Sequence, residues 1–249
     1  ITLDFRYGIC ENAEVGIEVP YISLSRGYLD EFVKGFENSV GATTPRSRLR
    51  QGSYNYNYSF IYNGQNLIKR TNASDGLGDI VLKAKYLVLE EDRRGIKPNA
   101  SFRAALKLPT GQKDDLLGSG ELDYGLGILL DKTLSEKITA YAGCNFIIIE
   151  KPSFFSALNL KSNMFSGIIG AEYLLTQRMS IVAQVMGNST PYPSSGTNAL
   201  DETAIDVGLG LNYTWKEKQN VSWHFAFTEN MNSAASPDVS FNTGWKVGF

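Results

Sequence analysis

Apolar and polar positions alternate along most of this chain with a period of two, as in β-strands that show each face to a different environment. In 121–130, Leu122, Tyr124, Leu126, Ile128 and Leu130 oppose Glu121, Asp123, Gly125, Gly127 and Leu129. In 203–215, Ile205, Val207, Leu209, Leu211, Tyr213 and Trp215 oppose Asp206, Gly208, Gly210, Asn212 and Thr214. Ile80, Leu82, Ala84, Tyr86 and Val88 alternate with Asp79, Val81, Lys83, Lys85 and Leu87, and Phe102, Ala104 and Leu106 with Arg103, Ala105 and Lys107. The period continues through 137–149, 164–175, 179–188 and 221–228, and near the start Leu3, Phe5 and Tyr7 oppose Asp4 and Arg6. In 53–62, Tyr54, Tyr56, Tyr58, Phe60 and Tyr62 share one side. Most of these segments reach the length of about 9–11 residues that crosses a bilayer in a strand tilted by about 45°.

The charged face decides which side is which. If it were the outside of a soluble barrel, the interior would hold the Tyr, Trp and Phe of every strand, more aromatic volume than such a lumen holds. With the charged face inside and the oily face on lipid, both are accounted for. The pattern therefore predicts an all-β, antiparallel transmembrane β-barrel of about 12–14 strands. One domain is expected over 1–249.

Short connections fall near 10–13, 63–65, 132–136, 176–178 and 216–219, and longer ones at 23–50, 109–118, 151–163, 189–202 and 230–237. Short turns on one side and long loops on the other are the stringing of outer-membrane barrels, with the short turns periplasmic. Counting 66–74 as a strand gives about thirteen, and counting it as loop gives about twelve; even numbers with both ends periplasmic are the rule for single-chain bacterial barrels. The larger count predicts that one or more strands precede Ile1. In 25–40, Leu29, Phe32, Val33 and Phe36 recur at helical spacing, which predicts one short helix in the long loop 23–50.

The C-terminal segment sharpens the picture. Trp245, Val247 and Phe249 alternate with Asn242, Gly244, Lys246 and Gly248. A polar residue, a glycine two on, and apolar third-last and last positions form an insertion signal at Asn242, Gly244, Val247 and Phe249. The expected localisation is the bacterial outer membrane, with outer-membrane lipid and the barrel-assembly machinery as partners. A hydrophobic content of 43% does not argue against this, because only alternate residues of each strand face lipid. The net charge of −2 with interspersed signs excludes a nucleic-acid stripe, so no nucleic acid is expected.

Leu77-Gly-Asp79, Lys107-Leu-Pro-Thr-Gly111, Leu117-Gly-Ser-Gly-Glu-Leu-Asp123 and Tyr28-Leu-Asp-Glu-Phe-Val-Lys-Gly-Phe36 resemble a family of Gram-negative proteins known as a domain of unknown function. At longer range their order is similar to that of barrel proteins associated with meta-pathway phenol degradation, regarded as outer-membrane transporters. The resemblance runs from about residue 15 onward. It implies an outer-membrane barrel and brings no catalytic residues.

Candidate chemistry is sparse. Gly118-Ser-Gly120 and Gly208-Leu-Gly210 have no helix after them, so small residues facing a crowded lumen explain them better than a nucleotide site. Asp114, Asp115, Glu121 and Asp123 lack EF-hand spacing and read as a solvated acidic loop. The sole histidine, His224, shares a face with Ser222, but a lipid hydrolase needs that pair where its substrate is. Cys10 and Cys144 have no metal spacing. No enzyme activity and no cofactor are expected. What remains is a lining of Lys83, Lys85, Arg103, Lys107, Glu121, Asp123, Asp206 and His224, with basic and acidic ladders on adjacent strands as in channels that orient solutes. The expectation is a passive channel or transporter for small, hydrophobic or aromatic, solutes. The alternative is a non-conducting barrel that anchors periplasmic or surface partners, its charges paired across the interior.

Overall fold

The computed structural model describes residues 1–25, 35, 39, 58–192, 198–215, 221–232 and 239–248. Its strands are β1 (Thr2–Cys10), β2 (Ala13–Leu24), β3 (Tyr58–Tyr62), β4 (Gln65–Arg70), β5 (Ser74–Leu77), β6 (Ile80–Leu89) and β7 (Asn99–Leu108). They continue with β8 (Asp123–Ser135), β9 (Ile138–Ile149), β10 (Asn163–Thr176), β11 (Met179–Asn188), β12 (Ala204–Thr214), β13 (Val221–Asn230) and β14 (Val239–Val247). All but β3 and β4 form one 12-stranded antiparallel sheet ordered as a meander from β1 to β14. Each wall strand pairs with the next wall strand along the chain, and where a short turn joins them, as in β1–β2, β8–β9 and β10–β11, closure costs little loop entropy.

β5 and β6 together act as one strand. Both pair with β2, with Leu77 opposite Tyr21 and Val81 opposite Glu18. Residues 77 to 81 therefore span one residue more than 18 to 21, and the extra residue makes a β-bulge at Gly78-Asp79. It falls opposite Pro20, which has no N–H to give the ladder, while Gly78 N donates to the Pro20 carbonyl at 2.9 Å. The wall is thus eleven strands along the path from β1 to β14. Among the described residues β1 and β14 do not pair with each other.

Sidedness follows the sequence period. Leu82, Tyr86, Phe102, Leu126, Ile128, Phe165, Ile169, Leu209, Phe225 and Trp245 are exposed on the outer face. Lys83, Lys85, Arg103 and Asp123 alternate with them on the more sheltered inner face. The buried apolar side chains among the described residues are Leu117, Leu158 and Leu160, all in loops and none in the wall. A soluble β-protein packs its core between sheets; here the sheet buries no such core. Tyr213 stacks edge-on to Trp215 at 4.8 Å and Trp215 on Trp245 at 5.2 Å, an aromatic belt at the short-turn end.

Two expectations change. The described part of the strand expected over 53–62, β3, is not wall: among the described residues it pairs only with β4, in a separate two-stranded hairpin. The stretch 66–74 divides between β4 and β5, and the tight turn at 63–65 is the tip of this hairpin, not a periplasmic turn. An alternating pattern identifies a strand but not its partner, and Tyr58, Phe60 and Tyr62 alternate equally well in a hairpin. The helix expected over 25–40 lies outside the described residues apart from Gly35 and Ser39, both helical, and Phe249 and Tyr56 lie outside them altogether.

Candidate channel lining

The inner wall from β1 to β8 carries most of the charge, and its ion pairs run along the wall. Arg6 binds Asp4 two residues earlier at 2.8 Å, Lys83 binds Glu18 and lies 3.5 Å from Asp4, and Lys85 lies 3.4 Å from Glu14. Each partner sits on the same strand, the next or the next but one, because inward residues of neighbouring strands lie side by side at about 5 Å. Charges that the anchor reading would pair across the interior are thus held against its wall. Glu14 escaped the sequence reading, although it shares the parity of Gly16 and Glu18.

Asp79 organises the rim above this wall. Set in the β5–β6 bulge, it accepts from Gly111 N at 3.0 Å and from Ser119 N at 2.9 Å. Lys107 approaches Asp79 at 3.2 Å, Asp123 at 2.6 Å and the Ser119 hydroxyl at 2.5 Å. Thr110 closes the group, its hydroxyl donating to the Gly78 carbonyl at 3.0 Å and accepting from Ile80 N at 2.9 Å. A Cβ on Gly118 would strike the Asp79 carboxylate, and one on Gly111 would lie 2.5 Å from the Leu117 carbonyl. The Leu-Gly-Asp, Leu-Pro-Thr-Gly and Gly-Ser-Gly motifs are thus one structural knot that fastens the 109–122 loop to the wall. Glu121, expected in the lining, lies in that loop just before β8.

The remaining wall is mostly neutral. Tyr141 donates to Gln184 at 2.9 Å, Asn145 to Ser166 at 2.7 Å, and Asn212 to Glu172 at 3.3 Å. Asp206 is buried and accepts from Asn230 at 2.9 Å. The His224 Nε2 lies 3.0 Å from the Asn242 side-chain oxygen. Opposite His224 in the register is Gly244, where a Cβ would lie 2.6 Å from the imidazole ring. This glycine of the C-terminal pattern makes room for the histidine, and Asn242 lies within hydrogen-bond distance of it, so two positions of that pattern seat His224.

Above the wall, the β3–β4 hairpin reaches loops far along the meander. Phe60 meets Phe155 edge-on at 5.1 Å and stacks on Tyr192 at 6.1 Å. Phe155 follows β9 and Tyr192 follows β11, whereas the hairpin lies in the connection from β2 to β5. Arg70 donates to the Asp114 carbonyl at 2.8 Å and pairs with Asp115, and Ser74 donates to the Asp115 carbonyl at 2.8 Å. Burial holds the Tyr192 phenol above its ordinary pKa. At the opposite end, Glu91 accepts from Lys132 at 3.0 Å and from Thr133 N at 2.8 Å; the Lys132 hydrogen bond leads in holding its carboxyl below the ordinary range. Among the described residues, no three His, Cys, Asp or Glu side chains converge as a metal site would need. Cys10 and Cys144 are separate free thiols.

Comparison with known proteins agrees with this architecture. The chain matches, over residues 1–249, the family described as protein of unknown function (DUF3187), and it belongs to that family. No curated protein matches it. The crystal structure of the COG4313 outer membrane channel from Pseudomonas putida F1 is similar, with a TM-score of 0.60 at 13% identity over 99% of this chain and 82% of that one. The NanC porin structure gives 0.51 at 8% identity over 100% of this chain and 98% of that one. At such identities the likeness is one of fold. With the oily belt outside and the charges inside, the chain has the fold of an outer-membrane β-barrel.

Proposed function

We propose that this protein is a passive conduit for small solutes across the outer membrane. The observation that carries the reading is the direction of the inner ion pairs: Arg6–Asp4, Lys83–Glu18 and Lys107–Asp123 lie along the wall and do not cross the space between walls. A wall lined with fixed charges gives a conduit its selectivity. The solved structures it resembles include a channel and a porin, which supports the same reading. Its partners in this account are lipid at the outer belt and the barrel-assembly machinery that receives β14. A hollow of about 650 Å3 on the outer face, between Val15, Tyr86, Phe102, Leu126 and Phe146, suits an acyl chain.

One observation favours the second reading, a non-conducting anchor: the hairpin rests on loops several strands away, and a hairpin so placed covers part of the mouth. Conductance decides. The refolded chain in a planar bilayer should give discrete channel events, and liposomes carrying it should swell in small sugars or amino acids. Silence in both measurements would leave the anchor as the reading.

A further inference from the structure

The inner wall holds a recess of about 370 Å3 whose lining includes Arg6, Glu14, Lys83, Lys85 and Arg103. Its depth comes from small side chains at inward positions: Gly16, Ala105, Gly125 and Gly127 stand where larger residues would fill it. A Cβ on Gly127 would strike the Asn145 side-chain oxygen and lie 2.8 Å from the Cys144 carbonyl and 3.1 Å from the Arg103 Nε, so the glycine leaves room for all three. Leu129 and Ile147 give the recess an apolar side.

The charges of this region do not cancel. Asp4 is taken by Arg6, Glu18 by Lys83 and Glu14 by Lys85. Arg103 stands opposite Lys85 on one side and Gly127 on the other, and neither is an acid. Among the described residues no carboxylate pairs with it, and its Nε is buried without a hydrogen-bond partner. A sheltered guanidinium without an acid beside it favours an anion, and a carboxylate in the recess would meet its charge with charge-assisted bonds.

We propose that this recess is a binding site for the carboxylate of a small organic anion, held by Arg103, with Leu129 and Ile147 against the anion's apolar body. The site rests on the conduit reading and gives it a solute class. An arginine fork suits a planar carboxylate better than a point charge does, and the apolar side separates an organic acid from a bare inorganic anion. Because Arg103 gives up no ion pair, Arg103→Gln should fold as the parent does.

The test uses the full chain refolded in planar bilayers, with benzoate as the organic probe and inorganic phosphate as the oxyanion without an apolar body. In a KCl gradient the wild type should favour chloride over potassium, and benzoate should reduce the chloride current at lower concentration than phosphate. Arg103→Gln should weaken the benzoate effect by about tenfold, the factor that one charge-assisted hydrogen bond is worth. Arg103→Lys should restore chloride preference but not the full benzoate effect. Unchanged benzoate sensitivity in Arg103→Gln, or phosphate acting at lower concentration than benzoate, overturns the site while leaving the conduit intact. If no current flows at all, the conduit reading falls, and calorimetric titration of benzoate into the detergent-folded chain decides the site. Heat lost in Arg103→Gln upholds it, and equal heat or none in the wild type refutes it.

Discussion

Asp79 shows how much of the rim depends on one carboxylate. Two backbone amides and Lys107 converge on it, and its side chain is only 9% exposed. Asparagine keeps the shape but loses the charge and turns an amide donor toward groups that donate. Asp79→Asn should therefore lower stability by about 1–3 kcal/mol, the cost of an unsatisfied buried donor, seen as a lower urea midpoint of the reconstituted protein; an unchanged midpoint would show that the knot holds nothing. Glu91 offers a pH readout at the opposite end. Its folded pKa is depressed, chiefly by the Lys132 hydrogen bond, so its stabilisation is full above the unfolded pKa near 4.3 and is lost as pH falls through the folded value. The midpoint difference between wild type and Glu91→Gln should be largest at neutral pH and close as the pH falls below about 4. A difference that stays constant down to pH 3 would place the effect elsewhere than in the charge.

Among elements, the β3–β4 hairpin is set apart from the wall and held to other loops by the rings of Phe60, Phe155 and Tyr192. Aromatic pairs of this kind are worth about 0.5–1.5 kcal/mol beyond the area they bury. Removing the Phe60 ring should thus raise the undocked fraction by about tenfold or more. Tryptic cleavage at Lys69 and Arg70 tracks that fraction when reclosure outpaces cutting, so Phe60→Ala should be nicked there about tenfold faster, with the wall strands still intact on a gel. Equal cleavage rates would mean that the rings do not hold the hairpin. The hairpin also marks where the sequence stops being readable. Parity is a property of each strand alone, so Leu126 against Asp123 or Phe225 against His224 could be oriented from their neighbours in the chain. Partnership is a property of two strands, and nothing in Tyr58–Tyr62 records that it pairs with Gln65–Arg70 and not with the wall. The shared parity of Lys83, Lys85, Arg103 and Asp123 was legible for the same reason that sidedness was, whereas Glu121 falls in a loop that parity does not govern. That Lys107 meets Asp79 through a bulge, and that Arg103 meets no acid, depends on register across strands, which a single extra residue at Gly78-Asp79 resets.

At the scale of the whole molecule, everything turns on an outer surface that water does not wet. Trp215, Trp223 and Trp245 are the chain's three tryptophans, and all share the parity of the exposed apolar residues. They gather at the short-turn end, where Trp215 stacks on Trp245 and the Trp223 N–H donates to Thr243 at 2.8 Å. An indole so placed has its ring in hydrocarbon and its N–H at the polar boundary, the usual seat of tryptophan at a membrane interface. Because the other end of the barrel has none, tryptophan emission reports on one boundary only. In vesicles of phosphatidylcholine brominated near the headgroup end of its chains, emission should fall further than in vesicles brominated at the chain ends, while acrylamide in the water should quench weakly. A soluble sandwich with the same sequence period would behave in the opposite way: rings in a closed core are out of reach of lipid bromine, and rings on a wetted face are open to acrylamide. Quenching by acrylamide but not by brominated lipid would therefore reverse the two faces of every strand, and with them the charged interior on which the conduit and its anion site depend.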